Sequence, residues 1–341
     1  MTVTAFFQQM REMDNILVLN AGSSSLKFAL YGGSGAVLAR GQVAGIGAGQ
    51  AEFTVSRETT RRVSALTGPL DTAGAQDALF GWLSAQGLGS FAAIGHRVVH
   101  GGDHYTAPVL VTDAIAAELD GLRRRAPLHM PFGLEVMARA RMRVRDVPHV
   151  ACFDTAFHTT QPTALRQFPL PAAYEARGYR RYGYHGLNYE HVATAFARLT
   201  DTALPDRVIV AHLGAGASMC ALKAGRSLAT TMGYSTLDGL VMETRCGTID
   251  PGLLIALQQD GMSLEAVTHL LYHDSGLKAL SGGSGSMKSL LSSADSRAAE
   301  AVEHFCIAAA RHAAGLGVVL GGIDALVFTG GIGENAAPGR A

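Results

Sequence analysis

The chain has no excess of charge of either sign, since 28 Lys and Arg balance 28 Asp and Glu among its 341 residues. A surface without a net field does not favour binding to nucleic acid or to an anionic membrane. The longest uncharged apolar run, Ala313–Ile323, is too short to cross a bilayer. Met1–Asp14 lacks the long apolar core of a signal peptide. We therefore expect a cytoplasmic protein that binds neither nucleic acid nor membrane.

Motifs for metal, redox and common nucleotide sites are also missing. The four cysteines form no CxxC pair and no cluster with histidine at zinc-site spacing. They are typical of free thiols in a reducing compartment. No GxxxxGK[ST] is present, which excludes a P-loop enzyme, and no clear GxGxxG opens a helix after a strand.

What the chain does contain is glycine, 41 residues of it, and three short apolar strands that each run into a glycine-rich segment. Such segments offer backbone N–H groups to anions, and the first also carries hydroxyls, an amide and an ammonium group. Two of the three have the pattern of β-hairpins. The segments are Asn20–Lys27 after Ile16–Leu19, His212–Ser218 after Val208–Ala211, and Thr329–Asn335 after Ala325–Phe328. Their recurrence predicts a duplicated fold that handles phosphate.

The remaining patterns indicate an α/β protein, and its length suits two domains better than one core. We expect the boundary at the end of the buried strand His149–Phe153, which gives domains 1–153 and 154–341. Another buried strand is expected from Ala93 towards Gly101. Helical patterns cover Thr72–Gln86, Thr112–Leu122, Asn188–Leu199 and Ser296–Leu320.

Polar side chains are found where the predicted strands end, which is where ligands bind in α/β sheets. Phosphoryl transfer needs such a set: cations, a carboxylate for Mg²⁺, and neutral donors for the equatorial oxygens. Taken singly, a residue such as His129 is more often structural than catalytic. Arg97 lies inside an apolar strand, and an arginine there needs an anionic partner. The full set is Asn20, Ser23, Ser25, Lys27, Arg97, His129, Asp154, His185, His212 and Arg245.

At these residues the chain resembles the acetate kinase family, which also holds propionate and butyrate kinases. The resemblance runs from Asn15 to Asn335 and implies the duplicated, two-domain actin/hexokinase-like (ribonuclease H-like) α/β fold. Its blocks are Asn20–Phe28, Gly95–Gly102, Ala126–His129, Phe153–His158, Arg181–Gly186, His212–Gly214, Thr244–Arg245, Ile249–Pro251 and Phe328–Asn335.

The family implies an ATP- and Mg²⁺-dependent kinase that converts a short-chain carboxylate, such as acetate or propionate, into an acyl phosphate by direct in-line transfer. It also implies a homodimer. The catalytic residues implied are Arg97, His129, Asp154, His185 and Arg245, with Asn20 and Asp154 holding Mg²⁺. The acid would bind at Arg97, Val99, Leu128, Tyr184 and Thr236. ATP and ADP would bind at Asn20, Ser23, Ser25, Lys27, His212, Gly214, Ala215, Gly216, Ser286, Lys288, Gly330, Gly331, Ile332, Gly333 and Asn335.

The chain departs from the family pattern in the nucleotide and acid pockets. Ala215 replaces a phosphate-side Asn, and Ser286-Met287-Lys288 stands where the family supplies an Asp and an Arg near adenine. Thr236 replaces a Pro and Tyr184 a Phe, which adds hydroxyls to the acid pocket. Further changes are Met130, Glu243, Cys246 and Thr248. These changes favour an altered donor or acid preference, or a weakened enzyme.

Family members also continue past the last glycine-rich segment, so we expect a C-terminal domain that is incomplete at its end and less stable. Two other interpretations stay open. One is a catalytically silent relative that acts as a binding or regulatory protein, and the other is a kinase that uses a different donor such as pyrophosphate. The presence of Arg97, Asp154 and Arg245 favours the enzyme.

Overall fold

The computed structural model of the chain describes residues 15–57, 59–66, 68–126 and 129–337. The chain divides into two compact units, the first ending at Ala156 and the second beginning at Phe157. Within the described residues, no helix is both long enough and apolar enough to cross a membrane.

The first unit is built on an eight-stranded sheet with the order β5-β4-β3-β2-β1-β6-β8-β7. The strands β1 to β5 form an antiparallel meander, whereas β1, β6 and β8 run parallel to one another. Their carboxyl ends therefore lie at one edge of the sheet. The strands are β1 Ile16–Ala21, β2 Ser25–Tyr31, β3 Val37–Ala44, β4 Ala51–Arg57, β5 Thr60–Leu66, β6 Ala93–Val98, β7 Val109–Leu110 and β8 His149–Phe153.

The core of this unit forms where alternate residues of the strands meet the apolar face of a helix. Leu17 and Leu19 of β1 are buried, as are Leu26, Phe28 and Leu30 of β2. Helix α1, Thr72–Ala85, packs on this layer, and its start is fixed by Asp71, whose carboxylate accepts from the backbone N of Gly74 at 2.7 Å. The helices of the unit are α1 Thr72–Ala85, α2 Asp113–Gly121 and α3 Met130–Arg143, with a 3₁₀ turn at Arg123–Arg125.

The second unit contains a four-stranded sheet with the order β11-β10-β9-β12. Strands β9 and β10 form a hairpin, and β12 runs parallel to β9. The strands are β9 Arg207–Leu213, β10 Ala217–Lys223, β11 Arg226–Thr230 and β12 Ala325–Thr329.

In the second unit, more of the described residues lie in helices than in strands. The longest helix among the described residues, α11 (Ser296–Leu320), starts after Asp295, whose side chain accepts from the backbone N of Arg297, and ends before Gly321, which is in the left-handed region. The helices are α4 Thr163–Arg166, α5 Ala172–Ala176, α6 Gly186–Thr200, α7 Pro251–Gln259, α8 Leu264–His273, α9 Gly276–Ser281, α10 Met287–Leu291, α11 Ser296–Leu320 and α12 Gly330–Asn335. A 3₁₀ turn covers Ala156–Thr160.

The two sheets share one arrangement of strands. In β3-β2-β1-β6 and in β11-β10-β9-β12, two antiparallel pairs are followed by a parallel one. The two hairpins with glycine-rich turns occupy the same place in this order. The duplication predicted from the repeated strand–glycine pattern is therefore confirmed.

The predicted helices and strands are present with small shifts at their ends. The third glycine-rich segment differs from the expected turn, because Gly330–Asn335 forms the short helix α12. Only its first residue turns the chain, with Gly330 at φ 79° and a hypothetical Cβ 2.6 Å from the carbonyl oxygen of Leu213. A side chain does not fit there.

Candidate active site

In the first unit, three predicted site residues meet at the carboxyl ends of parallel strands. Asn20 lies near the end of β1, Arg97 near the end of β6, and Asp154 directly after β8. The Nε and Nη2 atoms of Arg97 donate to the Asp154 carboxylate, with Nε 3.0 Å from Oδ2. Its Nη1 donates to Oδ1 of Asn20 at 2.9 Å. The anionic partner expected for Arg97 is therefore Asp154.

In this ion pair the arginine is partly accessible to solvent and the aspartate is buried. The Asp154 side chain is 2% exposed and that of Arg97 is 28% exposed. Burial lowers the pKa of Arg97, but the charge of Asp154 and its hydrogen bonds raise it, and the net effect is a raised pKa. The guanidinium thus stays cationic and is oriented by two neighbours before any ligand binds.

The other first-unit candidates lie in the β1–β2 hairpin, directly after β6 and before α3. His129 precedes α3, and a Cβ on Gly133, one turn along, would be 3.6 Å from the carbonyl oxygen of Arg97. Val99 is buried directly after β6. Lys27 pairs across the hairpin with Asn20 and is exposed, like Ser23, whereas Ser25 is half-buried. Leu128, predicted to line the acid pocket, lies outside the described residues.

In the second unit, His185 has a main-chain conformation that is unusual for a residue with a side chain. It precedes α6 at φ 59°, in the left-handed region. Its Nδ1 is 2.8 Å from Oγ of Ser218, which also contacts the Tyr189 hydroxyl. Its ring lies 4.3 Å from that of His212, centroid to centroid. The imidazole is therefore held in one orientation by β10 and α6.

His212 is fixed at the end of β9 by the neighbouring parallel strand. Thr329 of β12 is its register partner, and the Thr329 hydroxyl lies 3.3 Å from Nδ1 of His212. The same hydroxyl donates to Oδ1 of Asn188 at 2.7 Å. Strand ends and the first turn of α6 thus supply the polar groups around the two imidazoles.

Arg245 reaches the same place from a loop. A Cβ on Gly216, in the β9–β10 turn, would be 3.6 Å from both Nη2 of Arg245 and Nε2 of His185. Nη1 of Arg245 donates to the carbonyl of Thr236 at 3.1 Å. The β9–β10 turn therefore lies against both the arginine and the histidine, and one ligand oxygen at this turn could meet both side chains.

The glycine-rich segments of the second unit lie side by side. A Cβ on Gly214 would be 3.9 Å from the backbone N of Gly331, and Gly333 packs on Phe328. The Ala215 carbonyl accepts from the backbone N of Glu243 at 3.2 Å.

The remaining nucleotide candidates are placed by short helices. Ser286 precedes α10 and Lys288 is exposed within it, while Gly285 lies against the backbone of Glu243. In α12, Ile332 is half-buried and the Asn335 side chain donates to the Gly331 carbonyl at 2.9 Å. The structure thus brings the 286–288 segment near the Ala215 turn through Glu243.

The two residues that add a hydroxyl to the predicted acid pocket, Tyr184 and Thr236, each take part in a hydrogen bond to a main-chain carbonyl. The Tyr184 hydroxyl donates to the carbonyl of Tyr234 at 2.7 Å. Thr236, two residues along, is buried and holds Arg245 through its carbonyl. The Tyr184 hydroxyl therefore holds the 234–236 loop in place, a role that its sequence position did not indicate.

The predicted Mg²⁺ ligands are oxygen donors that face one point in the first unit. Asn20 Oδ1 and the Asp154 carboxylate both contact Arg97, and a carboxylate has about four lone-pair positions. Mg²⁺ takes one or two protein oxygens and keeps several waters. These residues fit such a loosely held ion, and within the described ranges no group of three or more His, Cys, Asp or Glu forms a closed metal cage.

Several supporting residues could not be found from motifs. Ser218, Tyr189, Asn188 and Thr329 orient His185 and His212, and His158 contacts the main chain beside His185. The pairs Thr329–Asn188 and Thr329–His212 are separated by 141 and 117 positions. Only the pairing of β9 with β12 brings them together.

Comparisons with known proteins agree on one family. The model of the acetokinase family matches residues 15–341. The acetate kinase of Nitrobacter hamburgensis is 44% identical over 337 residues, which cover 96% of this chain and 83% of that protein. The acetate kinase of Rhizobium meliloti is 44% identical over 339 residues, covering 96% and 85%.

Solved structures give the same result. A propionate kinase from Francisella tularensis superposes with a TM-score of 0.89 at 35% identity and covers 96% of this chain and 86% of that one. The acetate kinase of Porphyromonas gingivalis gives 0.83 at 31% identity, with 96% and 85% covered.

Proposed function

Because this chain belongs to the acetokinase family, we propose that it phosphorylates acetate, or a close short-chain acid such as propionate, with ATP. The chain is a phosphotransferase with a carboxyl group as acceptor. The observation that carries the proposal is the Arg97 guanidinium, held by Asp154 and Asn20 at the ends of three parallel strands. Similarity to acetate and propionate kinases supports the choice of acid.

The proposed reaction is a direct in-line transfer. A carboxylate oxygen of the acid forms the new P–O bond while the bond to the ADP oxygen breaks. No general base is needed, since the carboxylic acid is ionised at neutral pH. The barrier comes from bringing two anions together, so the protein contributes position and positive charge.

Each cationic or donor side chain has a proposed part. Arg97 and Arg245 neutralise the carboxylate and the equatorial oxygens of the phosphoryl group in transfer. His185 and His129 donate to the same oxygens. Asn20 and Asp154 would hold Mg²⁺, which shields phosphate charge when bound.

The glycine-rich segments would bind the nucleotide phosphates. At Gly330 a Cβ would lie 2.6 Å from the carbonyl oxygen of Leu213, so only glycine allows this close approach, and Gly214 and Gly216 lie in the neighbouring β9–β10 turn. His212, beside His185, would face the same phosphates. The family resemblance also supports a homodimer and a cytoplasmic location, and light scattering of the purified protein tests the first.

The test is trapping of the acyl phosphate with hydroxylamine. Acetate, propionate and butyrate are each combined with ATP or pyrophosphate in the presence of Mg²⁺. We expect turnover with ATP and a short acid, loss of turnover without Mg²⁺, and a fall of roughly 10²–10³ in Arg97→Ala. Arg62→Ala, which removes an exposed arginine of β5, is the matched control and keeps wild-type activity.

Two results would contradict the proposal. Turnover with pyrophosphate and not ATP would assign a different donor. A folded protein without turnover for any pair would favour a silent relative that acts as a binding or regulatory protein.

A further inference from the structure

Tyr184 is held by hydrogen bonds at both its main chain and its hydroxyl. It is 1% exposed. Its carbonyl accepts from Nε2 of His158 at 3.0 Å, and its hydroxyl donates to the carbonyl of Tyr234 at 2.7 Å. A buried side chain anchored at both ends is a rigid connection between the elements that it touches.

The main-chain end of this connection is fixed by a buried polar group. Because Nε2 of His158 donates to the carbonyl of Tyr184, its Nδ1 acts as an acceptor, and the Ser227 hydroxyl donates to it at 2.9 Å. The Ser227 oxygen in turn accepts from Nε2 of Gln161 at 2.9 Å. Each hydrogen bond in this series has one defined donor and one defined acceptor, and the series holds the main chain of Tyr184 in a fixed position.

The hydroxyl end holds a loop that supports Arg245. The segment 234–236 contributes two carbonyls in opposite roles: that of Tyr234 accepts from Tyr184, and that of Thr236 accepts from Nη1 of Arg245 at 3.1 Å. Tyr272 also bonds to the side chains of Ser235 and Thr236. The loop therefore helps to set the position of the guanidinium, together with Sδ of Met242, which is 3.5 Å from Nη1 of Arg245.

The main chain of Arg245 is anchored elsewhere. Its carbonyl accepts from the backbone N of Met242 at 3.1 Å, and the backbone N of Cys246 donates to Leu271 at 3.2 Å. The Thr244 hydroxyl donates to the carbonyl of Tyr272 at 2.8 Å. Loosening the 234–236 loop would thus displace the guanidinium while the backbone at Arg245 stays in place.

We propose that the Tyr184 hydroxyl is a positioning group for Arg245, acting through the Tyr234 and Thr236 carbonyls. The inference rests on the proposed function, in which Arg245 stabilises the phosphoryl group in transfer. Misplacement of such a donor raises the barrier more than it weakens nucleotide binding. Loss of one hydrogen bond corresponds to about threefold to tenfold in rate.

Tyr184→Phe removes the hydroxyl and keeps the ring, and Tyr182→Phe is its matched control. Tyr182 is also buried, and its hydroxyl donates to a main-chain carbonyl at 2.9 Å, that of Gly178, outside the proposed site. For Tyr184→Phe we expect kcat for acyl-phosphate formation to fall about threefold to tenfold, with KM for ATP unchanged. Tyr182→Phe keeps kcat and KM, although both variants lose thermal stability.

A second measurement does not depend on activity. Amide hydrogen exchange followed by mass spectrometry should show faster exchange in the peptide covering 234–248 for Tyr184→Phe and not for Tyr182→Phe. Wild-type kcat in a Tyr184→Phe protein, or an equal loss of kcat in both variants, would overturn the proposal. If the wild-type protein makes no acyl phosphate, the proposed function fails. The contact between Tyr184 and the 234–236 loop is then tested by hydrogen exchange alone, and equal exchange rates in the two variants would reject it.

Discussion

At the scale of single residues, the charge of Arg97 is held in place by its neighbours. Its three donor nitrogens are directed at Asp154 and Asn20, so the cation lies at the strand ends without a substrate to hold it. Such preorganisation lowers the reorganisation needed when charge develops on a phosphoryl group. We therefore expect activity to depend on Asp154 as well as on Arg97.

Asp154→Asn tests this dependence. The amide keeps the size of the side chain but removes the charge that raises the pKa of Arg97 and orients it. We expect kcat to fall roughly 10²–10³-fold. The free energy of unfolding should also fall, by less than the about 3–5 kcal/mol of fully buried pairs, since Arg97 is partly exposed.

Steady-state kinetics and urea unfolding measure the two effects. Arg62→Ala again serves as the control for an arginine far from Asp154 in β5. An Asp154→Asn protein with kcat within threefold of the wild type would show that Arg97 needs no carboxylate for its position.

At the scale of elements, two buried histidines connect the strands that carry Arg97 and Asp154. Nε2 of His149 donates to the carbonyl of Val144 at 2.9 Å, so its Nδ1 accepts from Nε2 of His96, also at 2.9 Å. Nδ1 of His96 is buried and has no hydrogen-bond partner among the described residues. This arrangement suits two neutral imidazole rings, that of His96 on β6 and that of His149 on β8.

The pair predicts loss of stability in mild acid. Burial, with smaller effects from His149 and Arg141, lowers the pKa of His96 from 6.5 to about 3, and burial also lowers that of His149. Below about pH 6.5 these histidines bind protons in the unfolded chain but stay neutral in the folded chain. Their contribution to the free energy of unfolding is therefore complete above that pH and is lost as the pH decreases towards 3.

The test compares the wild type with His96→Gln, whose side chain does not titrate. Between pH 7 and pH 5, the free energy of unfolding of the wild type should fall more steeply, by up to about 1.4 kcal/mol per pH unit for this group. Chemical denaturation at several pH values measures the difference. Identical pH slopes in the two proteins would contradict the role of His96.

The segment before α6 makes a second prediction about an element. Gly183 has φ 74°, and a Cβ there would be 2.6 Å from Cδ2 of His158 and 2.7 Å from Cγ2 of Thr230. Gly183→Ala should lower the free energy of unfolding by about 1–3 kcal/mol and disturb His185, two residues along.

Gly81→Ala is the control, because Gly81 lies within α1 and a Cβ there meets nothing within 4 Å. This change should stabilise the protein by up to about 1 kcal/mol. Urea unfolding midpoints that move equally in both variants would contradict the contact with His158.

Local sequence patterns predicted part of these elements. Leu17 and Leu19, or Leu26 and Phe28, alternate in the sequence as they do in the sheet, and the 25 residues of α11 were predicted at both ends. The helix at Gly330–Asn335 was not predicted, because local glycine content favours a turn and only packing on β9 and β12 selects a helix. The contacts of Tyr184 with Tyr234, and of Thr329 with Asn188, depend on chain pairing that no local pattern shows.

At the scale of the whole molecule, the two units repeat one strand arrangement but carry different chemistry. The first provides Asn20, Arg97 and Asp154 at the ends of parallel strands, and the second provides His185, His212 and Arg245 around a glycine turn. The proposed function assigns all six to one transfer of a phosphoryl group between two anions.

The most direct test of this account follows the oxygen atoms of the acid. Purified protein is given ATP, Mg²⁺ and acetate labelled with oxygen-18 in both carboxylate positions, and the product is observed by phosphorus NMR. Direct attack by the carboxylate predicts an acyl phosphate whose phosphorus signal carries the isotope shift of one labelled bridging oxygen, with ADP formed in equal amount. Acyl phosphate without that shift, or ADP and inorganic phosphate alone, would contradict the account.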